Sequence, residues 1–281
     1  MRVFVLLALL TVAVRMSAQT STGDGDDFGV DMSVRVVDDF GDGFSWTCGV
    51  NWRTQDNSRR TERWGVEGGF AWRFWRSADK RWNLKASFDV EQIWRQKLSV
   101  MEVHYKTDDD GAAVLDADGN PVQNGYNGTA RYWRNRQRYS LGLEGTWKPS
   151  KRWQVEWKET LQWSHYETTD SVERTRWRYN DDDELYLKST QMKVYSKKDR
   201  WVLRSKLTLT YDIKGLPIDP FVSADYGCGL SYSADKWRLS AGIDYKLNKK
   251  HRLTLFYRYT TENSEDETDG HLVGVGYRFA L

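Results

Sequence analysis

The sequence predicts an all-β fold, an antiparallel transmembrane β-barrel of about 12 strands within a range of roughly 10–14, and three observations carry that prediction. The first is a two-residue beat. In Phe44-Ser-Trp-Thr-Cys-Gly-Val-Asn-Trp-Arg53 every second side chain is apolar or aromatic, and the same alternation returns in segment after segment to Leu281. A side-chain period of two belongs to a β-strand. The second is the identity of the two faces. One carries Phe44, Trp46, Cys48, Val50 and Trp52, then Trp64, Val66, Phe70, Trp72 and Phe74; the other carries Arg53, Glu67 and Arg73. Apolar outside and charged inside is the pattern of a barrel in lipid. The third is a count of 15 Trp and 15 Tyr, far above the needs of an ordinary core. Both rings have an apolar body and a polar tip, which suits the rim between acyl chains and water.

The chain opens Met1-Arg2, followed by an apolar run from Val3 to Val14 and by Arg15-Met16-Ser17-Ala18-Gln19. A basic start, a short apolar stretch and a small residue at the cut predict a secretory signal peptide over 1–18. That run is too short to span a bilayer as a helix. Residues 19–43 form an N-terminal lead, in which Val30–Val37 reads as a first strand or as an arm. Strands follow at 44–53, 64–75 and 82–95, the last continuing its beat to Tyr105. The next are 131–148, 153–165, 184–195, 200–211, 220–231, 237–247, 251–260 and 271–281, which completes a barrel over 44–281. Lengths near ten residues suit a tilted membrane strand. The four prolines, Pro121, Pro149, Pro217 and Pro220, lie between strands or at a strand start, where a missing N–H does no harm.

Connections are of two kinds. Short basic ones end in Trp: Ser77–Trp82, Ser150–Trp153, Lys197–Trp201 and Ser233–Trp237. Long polar ones run over 54–63, 107–129, 167–183 and 261–270. Outer-membrane barrels keep short turns on the periplasmic side and long loops outside. Counting hairpins back from the C-terminus puts Ser150–Arg152 on the outer side, against its short-turn chemistry. An extra strand at Val172–Tyr179, with 82–105 counted once and Val30–Val37 treated as an arm, restores the parity.

No segment after the signal is apolar for 18 residues, so no membrane-spanning helix is predicted. Mean hydropathy is low at −0.75, as expected where half of every strand faces water. The signal contains two of the 42 basic residues and no acid, so its removal leaves 40 basic against 40 acidic residues. That balance argues against a nucleic-acid partner, which needs a basic excess on one face. The soluble alternative is a lipocalin-like barrel or a sandwich. Either would have to hide the aromatic rings inward, and their bulk would overfill an eight-stranded interior. Cys48 and Cys228 stand on wall positions as small apolar fillers, with a single disulfide as the alternative.

The chain ends His271-Leu-Val-Gly-Val-Gly-Tyr-Arg-Phe-Ala-Leu281, with Val273, Val275, Tyr277, Phe279 and Leu281 on one face. This resembles the C-terminal strand read by the bacterial barrel assembly machinery, although Phe279 is followed by two further residues. The C-terminal third also resembles the DUF2490 family, outer-membrane-type barrels of unknown function common in Bacteroidetes. The resemblance rests on Pro220-Phe-Val-Ser-Ala-Asp225, Trp237–Asn248, Leu253–Tyr259 and His271–Phe279. It covers roughly the last 80 residues plainly and the N-terminal half weakly. It implies a fold, an outer-membrane location after secretion to the periplasm of a Gram-negative bacterium, and no catalytic residue. Outer-membrane lipid and the assembly machinery are the partners expected of a monomer.

The beat assigns Arg53, Arg73, Lys85, Lys158, Arg204, Lys206, Arg238, Lys246, Arg258 and Arg278 to the lumen, with Glu67, Asp89, Glu91, Glu144, Glu156, Asp225 and Asp244. Either these charges pair across a narrow lumen and plug it, or some stay unpaired and line a water-filled path. The histidines are His104, His165, His251 and His271. Ser164 and His165 are adjacent and point to opposite faces, so they form no nucleophile–base pair. No Gly-x-Ser-x-Gly, His-Glu-x-x-His or phosphate loop occurs. Asp108–Gly111 and Asp116–Asn120 lack the distal Glu of a calcium loop and read as turns. No catalytic, cofactor-binding or metal site is therefore assigned. Three classes remain: a structural barrel or narrow solute pore, a membrane-embedded lipid-acting hydrolase or acyltransferase, and a surface-binding barrel using its long loops.

Overall fold

Alternation along the chain becomes strand after strand in the computed structural model, which describes residues 27–41, 43–180, 182–231, 235–262 and 270–281. The segment 1–18 read as a signal peptide, the lead as far as residue 26 and most of the 261–270 loop lie outside these. Fifteen strands are formed: β1 (Asp27–Asp39), β2 (Phe44–Gln55), β3 (Arg60–Arg76), β4 (Trp82–Lys97), β5 (Val100–Tyr105), β6 (Gln123–Thr129), β7 (Tyr132–Trp147), β8 (Trp153–Tyr166), β9 (Val172–Tyr179), β10 (Leu185–Lys193), β11 (Lys198–Tyr211), β12 (Ile218–Gly229), β13 (Asp235–Lys246), β14 (His251–Glu262) and β15 (Gly270–Ala280). Among the described residues no helix is long and apolar enough to cross a membrane.

Two units result. The first is a closed barrel in the order β1-β15-β14-β13-β12-β11-β8-β7-β4-β3-β2. Eleven is an odd number, and a closed ring of odd number must contain a parallel neighbour pair. That pair is β1 with β15, in register from Asp27↔Gly270 to Val37↔Ala280; β1 is antiparallel to β2 on its other side. The segment read as an arm is thus the closing strand. Its own beat supports this, with Asp31, Ser33 and Arg35 alternating with Met32, Val34 and Val36. The tip between β2 and β3 is tied to the start of β1, because the Asp27 carboxylate accepts from the backbone N–H of Asp56 (3.1 Å) and Asn57 (2.8 Å).

The second unit, built from 95–135 and 166–198, holds a four-stranded sheet in the order β10-β9-β6-β5. Two corrections follow. Val172–Tyr179 and 184–195 are strands, but they pair with each other in this sheet instead of in the barrel wall. The run 82–105 divides into β4 and β5, the latter paired with β6. Removing this pair of strands from the barrel count leaves the parity as the extra strand had restored it. Counting back from Leu281 through β15, β14, β13, β12, β11 and β8 now puts 148–152 at the same end as 247–250. The short connections after β1, β3, β7, β11 and β13 all lie at that end. Trp82 and Trp153 begin strands there, whereas Trp201 and Trp237 begin strands at the opposite end. The Lys/Arg-then-Trp spelling therefore marks both rims, since an amphipathic ring is equally at home at either interface.

Turns carry local staples. The Ser77 hydroxyl donates to Asp79 at 2.6 Å, and with the Arg81 N–H it holds the Asp79 carboxyl below its usual range. In the second unit Asp108 accepts from the N–H of Asp110 and Ala112, and Asp116 from those of Asp118 and Asn120. The Asn120 N–H bond lowers the Asp116 carboxyl likewise. These are hairpin tips, as the turn reading expected. Both cysteines are free thiols, Cys48 exposed and Cys228 half-buried.

The barrel is inside out relative to a soluble one. Val50 (52% exposed), Phe70 (64%), Leu141 (59%) and Leu239 (54%) point outward, while hydrophobic burial within the barrel is confined among the described residues to Val37, Ile93, Leu253 and Leu272. Each large side chain held in water forfeits about 1.5–3 kcal/mol of burial, so an outer surface of this kind is stable only against an apolar phase. Aromatic clusters band both rims. At the short-connection end Phe44 stacks on Trp72, Trp82 on Trp147, and His251 on Phe279; at the other, Trp64 stacks on Trp94 and Trp163 on Tyr139 and Trp201. Twelve residues at about 3.3 Å rise and about 40° tilt cover about 30 Å, the thickness of a hydrocarbon core.

Gly274 on β15 is buried, and the Phe256 ring occupies the place where a Cβ would stand. Gly274→Val is therefore expected to cost about 2 kcal/mol by overpacking, read as a lower unfolding midpoint in micelles.

Candidate functional site

The lumen of the barrel unit is where the inward charges meet. A cavity of about 960 Å³ is lined from Asp39, Gly41 and Phe44 at the short-connection end to Arg53, Arg63 and Arg138 near the other. A second, of about 530 Å³, opens among Lys151, Arg152, Asp212 and Lys246; Lys206 lines both. Toward the far end the inward side chains Ser140 and Ser164 are buried.

All seventeen residues assigned to the interior face it. Sixteen line one or other cavity, and Asp225 is buried between two arginines. Many are paired. Arg204 and Arg238 (3.8 Å) share Asp225. Lys85 meets Glu144 at 2.9 Å, and Glu91 takes Arg138 at 3.0 Å and the Asn51 amide at 2.9 Å. Glu67 binds Arg35. Lys246 reaches Asp219 (2.7 Å) and Asp212 (3.3 Å), and Asp244 binds Arg252 (3.3 Å) and the Thr254 hydroxyl (2.5 Å). Arg53 pairs with Asp31 at 2.8 Å and lies 3.8 Å from Glu62.

Pairing is incomplete on the cationic side. Arg73, Lys158, Lys206, Arg258 and Arg278 line the larger cavity, and among the described residues no carboxylate stands within ion-pair distance of any of them. The lining of that cavity holds twelve Arg and Lys against six Asp and Glu. Charges away from water are too costly to leave uncompensated, so this arrangement requires water in the lumen. Neither of the two extremes expected for the interior holds alone, since part of the charge is locked in pairs and part is left over.

Asp225 is the tightest of these locks. Asp225→Ala removes the carboxylate shared by the partly buried Arg204 and Arg238, so about 3 kcal/mol of stability is expected to be lost. Asp225→Asn, which keeps a hydrogen-bond acceptor, should lose less. Denaturant unfolding in micelles distinguishes the two.

Sequence reading missed Asp31, Arg35, Arg63, Arg138, Asp219 and Arg252, which also line the cavities. Asp31 and Arg35 were lost with the strand read as an arm. Arg63 lay one residue outside its segment; Arg138 and Arg252 had the right phase, two residues from Ser140 and six from Arg258, and needed only the beat followed further.

The histidines are dispersed. His165 Nδ1 meets Asp199 at 2.7 Å beside Trp163, His251 meets the Tyr277 hydroxyl at 2.5 Å, and His271 meets that of Tyr257. His104 lies in the second unit, where burial lowers its basicity. Ser164 is buried while His165 is partly exposed, as opposite faces require. On the outward face of β8 and β11 the Glu159 carboxylate accepts from the Ser205 hydroxyl (2.6 Å) and the Trp157 indole N–H (2.8 Å). No histidine joins that cluster among these contacts. Among the described residues no group of three His, Cys, Asp or Glu is placed to hold a metal ion.

No family model matches the sequence, and no curated protein matches it. Among solved structures the chain is similar to the crystal structure of the beta domain of the Bordetella autotransporter Brka, with a TM-score of 0.44 and 14% identity over 85% of this chain and 82% of that one.

Proposed function

We propose that the chain, after loss of residues 1–18, is a monomeric outer-membrane barrel of a Gram-negative bacterium that acts as a narrow, anion-preferring solute pore. The observation that supports this best is the cation surplus on the lining of the larger cavity, inside a wall whose outer surface is apolar. Rings of basic side chains select anions by raising their local concentration and lowering their entry barrier. The reading takes the DUF2490 resemblance of the C-terminal strands as kinship, and takes folding by the barrel assembly machinery from the same strands. Refolded protein in planar bilayers is expected to conduct in small steps and to show an anion-selective reversal potential under a salt gradient. A barrel that inserts and stays silent overturns the pore.

A second reading, surface binding, is favoured by the exposed apolar side chains of the second unit: Met101, Val103, Leu185, Leu187 and Met192. Replacement of these five side chains by serine with retention of the barrel tests it, by loss of binding to surfaces or ligands that the parent protein retains.

A further inference from the structure

Arg258 on β14 and Lys206 on β11 both line the larger cavity. Arg258 donates from Nε to Ser240 Oγ at 3.2 Å, and its guanidinium lies 4.8 Å from the centre of the Phe256 ring. Both Nη groups are left without an acceptor among the described residues. The carboxylates whose charge reaches Arg258 are Asp31 and Asp225. Each is already engaged, Asp31 by Arg53 and Asp225 by Arg204 and Arg238. Arg53 and Arg238 add their own positive field to Arg258; at Lys206 the carboxylates of Glu156 and Asp225, neither within ion-pair distance, are opposed by the fields of Arg258 and Arg204. The β-ladder fixes these positions, so like charges are held together whether or not an anion is present.

A free guanidinium fork on β14 and an ammonium group on β11, lining one cavity from wall strands separated by β13 and β12, offer more than a general positive potential. The fork presents two parallel N–H donors at the spacing of two oxygens on one tetrahedral centre, and the ammonium adds a point charge. A halide uses the charge but not the fork. A multivalent oxyanion uses both.

We propose that this corner of the lumen is a binding site for a compact multivalent oxyanion of the phosphate class, taken from solution and not from a lipid headgroup. The proposal rests on the water-filled, cation-rich lumen of the pore reading and adds a solute class to it. The soluble source follows from the geometry, because the lining faces the lumen while acyl chains meet the opposite face of the same strands.

The test uses the full-length protein refolded in an uncharged detergent and titrated calorimetrically with inorganic phosphate over a constant chloride background. Saturable phosphate binding is expected. Arg258→Gln should weaken it about tenfold, the loss of one bidentate charge-assisted contact, and Lys206→Gln should weaken it by a smaller factor. Arg81→Gln, in an exposed turn, should leave it within about twofold of the parent. Absence of saturable binding in a correctly folded parent overturns the site, as does parental affinity in both lumen variants. If Arg258→Gln fails to give the heat-modifiable barrel form, Lys206→Gln decides. Displacement of phosphate by short-chain phosphatidylglycerol overturns the soluble source. A silent barrel that binds phosphate defeats conduction and leaves the site standing; a conducting barrel that does not bind it defeats the site alone.

Discussion

Reversing Lys158, Lys206 and Arg258 together to glutamate is expected to turn an anion-preferring barrel into a cation-preferring one. The three side chains line the larger cavity without a carboxylate within ion-pair distance among the described residues, so their charge is available to a permeating ion. One unit charge about 7 Å from an ion in water-like surroundings is worth about 0.6 kcal/mol. Three reversals change six units of charge, and after screening by salt the ratio of anion to cation permeability should fall by at least about tenfold. The measurement is the reversal potential in planar bilayers under a salt gradient, with heat-modifiable migration on gels as the check on folding. A conducting variant whose selectivity equals that of the parent removes the lumen surplus as the origin of selectivity. Reversing Arg204 and Arg238 instead should mainly lower stability, because both are tied to Asp225.

The parallel seam between β1 and β15 is expected to be the point at which the barrel is most easily opened. Ser33 lies opposite Gly276 and Val37 opposite Ala280, and a Cβ at Gly276 would stand 3.3 Å from Ser33 Oγ. With Cys48 and Cys228 replaced by serine, the pairs Ser33→Cys with Gly276→Cys and Val37→Cys with Ala280→Cys should each close a disulfide under mild oxidation. Both close only if the strands run the same way. A bridge between positions 33 and 280 would show an antiparallel seam and overturn the closure described here. Val34→Pro removes a donor in the middle of the same strand, which is paired on both sides. A loss of about 3 kcal/mol or more is expected, seen as failure to migrate as a folded barrel. Without β1 the ring would be even and β2 would face β15 antiparallel, so a truncation lacking 27–39 tests whether ten strands close alone.

What was legible in the sequence was local. A period of two sorts neighbouring side chains onto opposite faces whatever the partner strand is, which is why the interior positions from Arg53 to Arg278, named from the beat alone, all face the lumen. Turn chemistry is local in the same sense: Asp108 and Asp116 bond their own backbone two and four residues on. The limits of that reading were also physical. Lys197–Trp201 and Ser233–Trp237 look like Ser77–Trp82 because an interface anchor looks alike at both rims, so spelling alone could not assign an end.

Pairing was another matter, because a hydrogen-bond ladder joins residues far apart in the chain and leaves no mark on the side-chain period of either strand. Val172–Tyr179 alternates as a wall strand does, yet it pairs with β6 and β10 in a separate sheet. Val30–Val37 alternates as well, and only its partners make it the closing strand. The same holds for charge. The sequence determined which ionised groups point inward; tertiary structure decided which of them meet, giving Asp225 two arginines and Arg258 no carboxylate among the described residues, because a distance of a few ångströms across a barrel is set by register and closure and not by order along the chain.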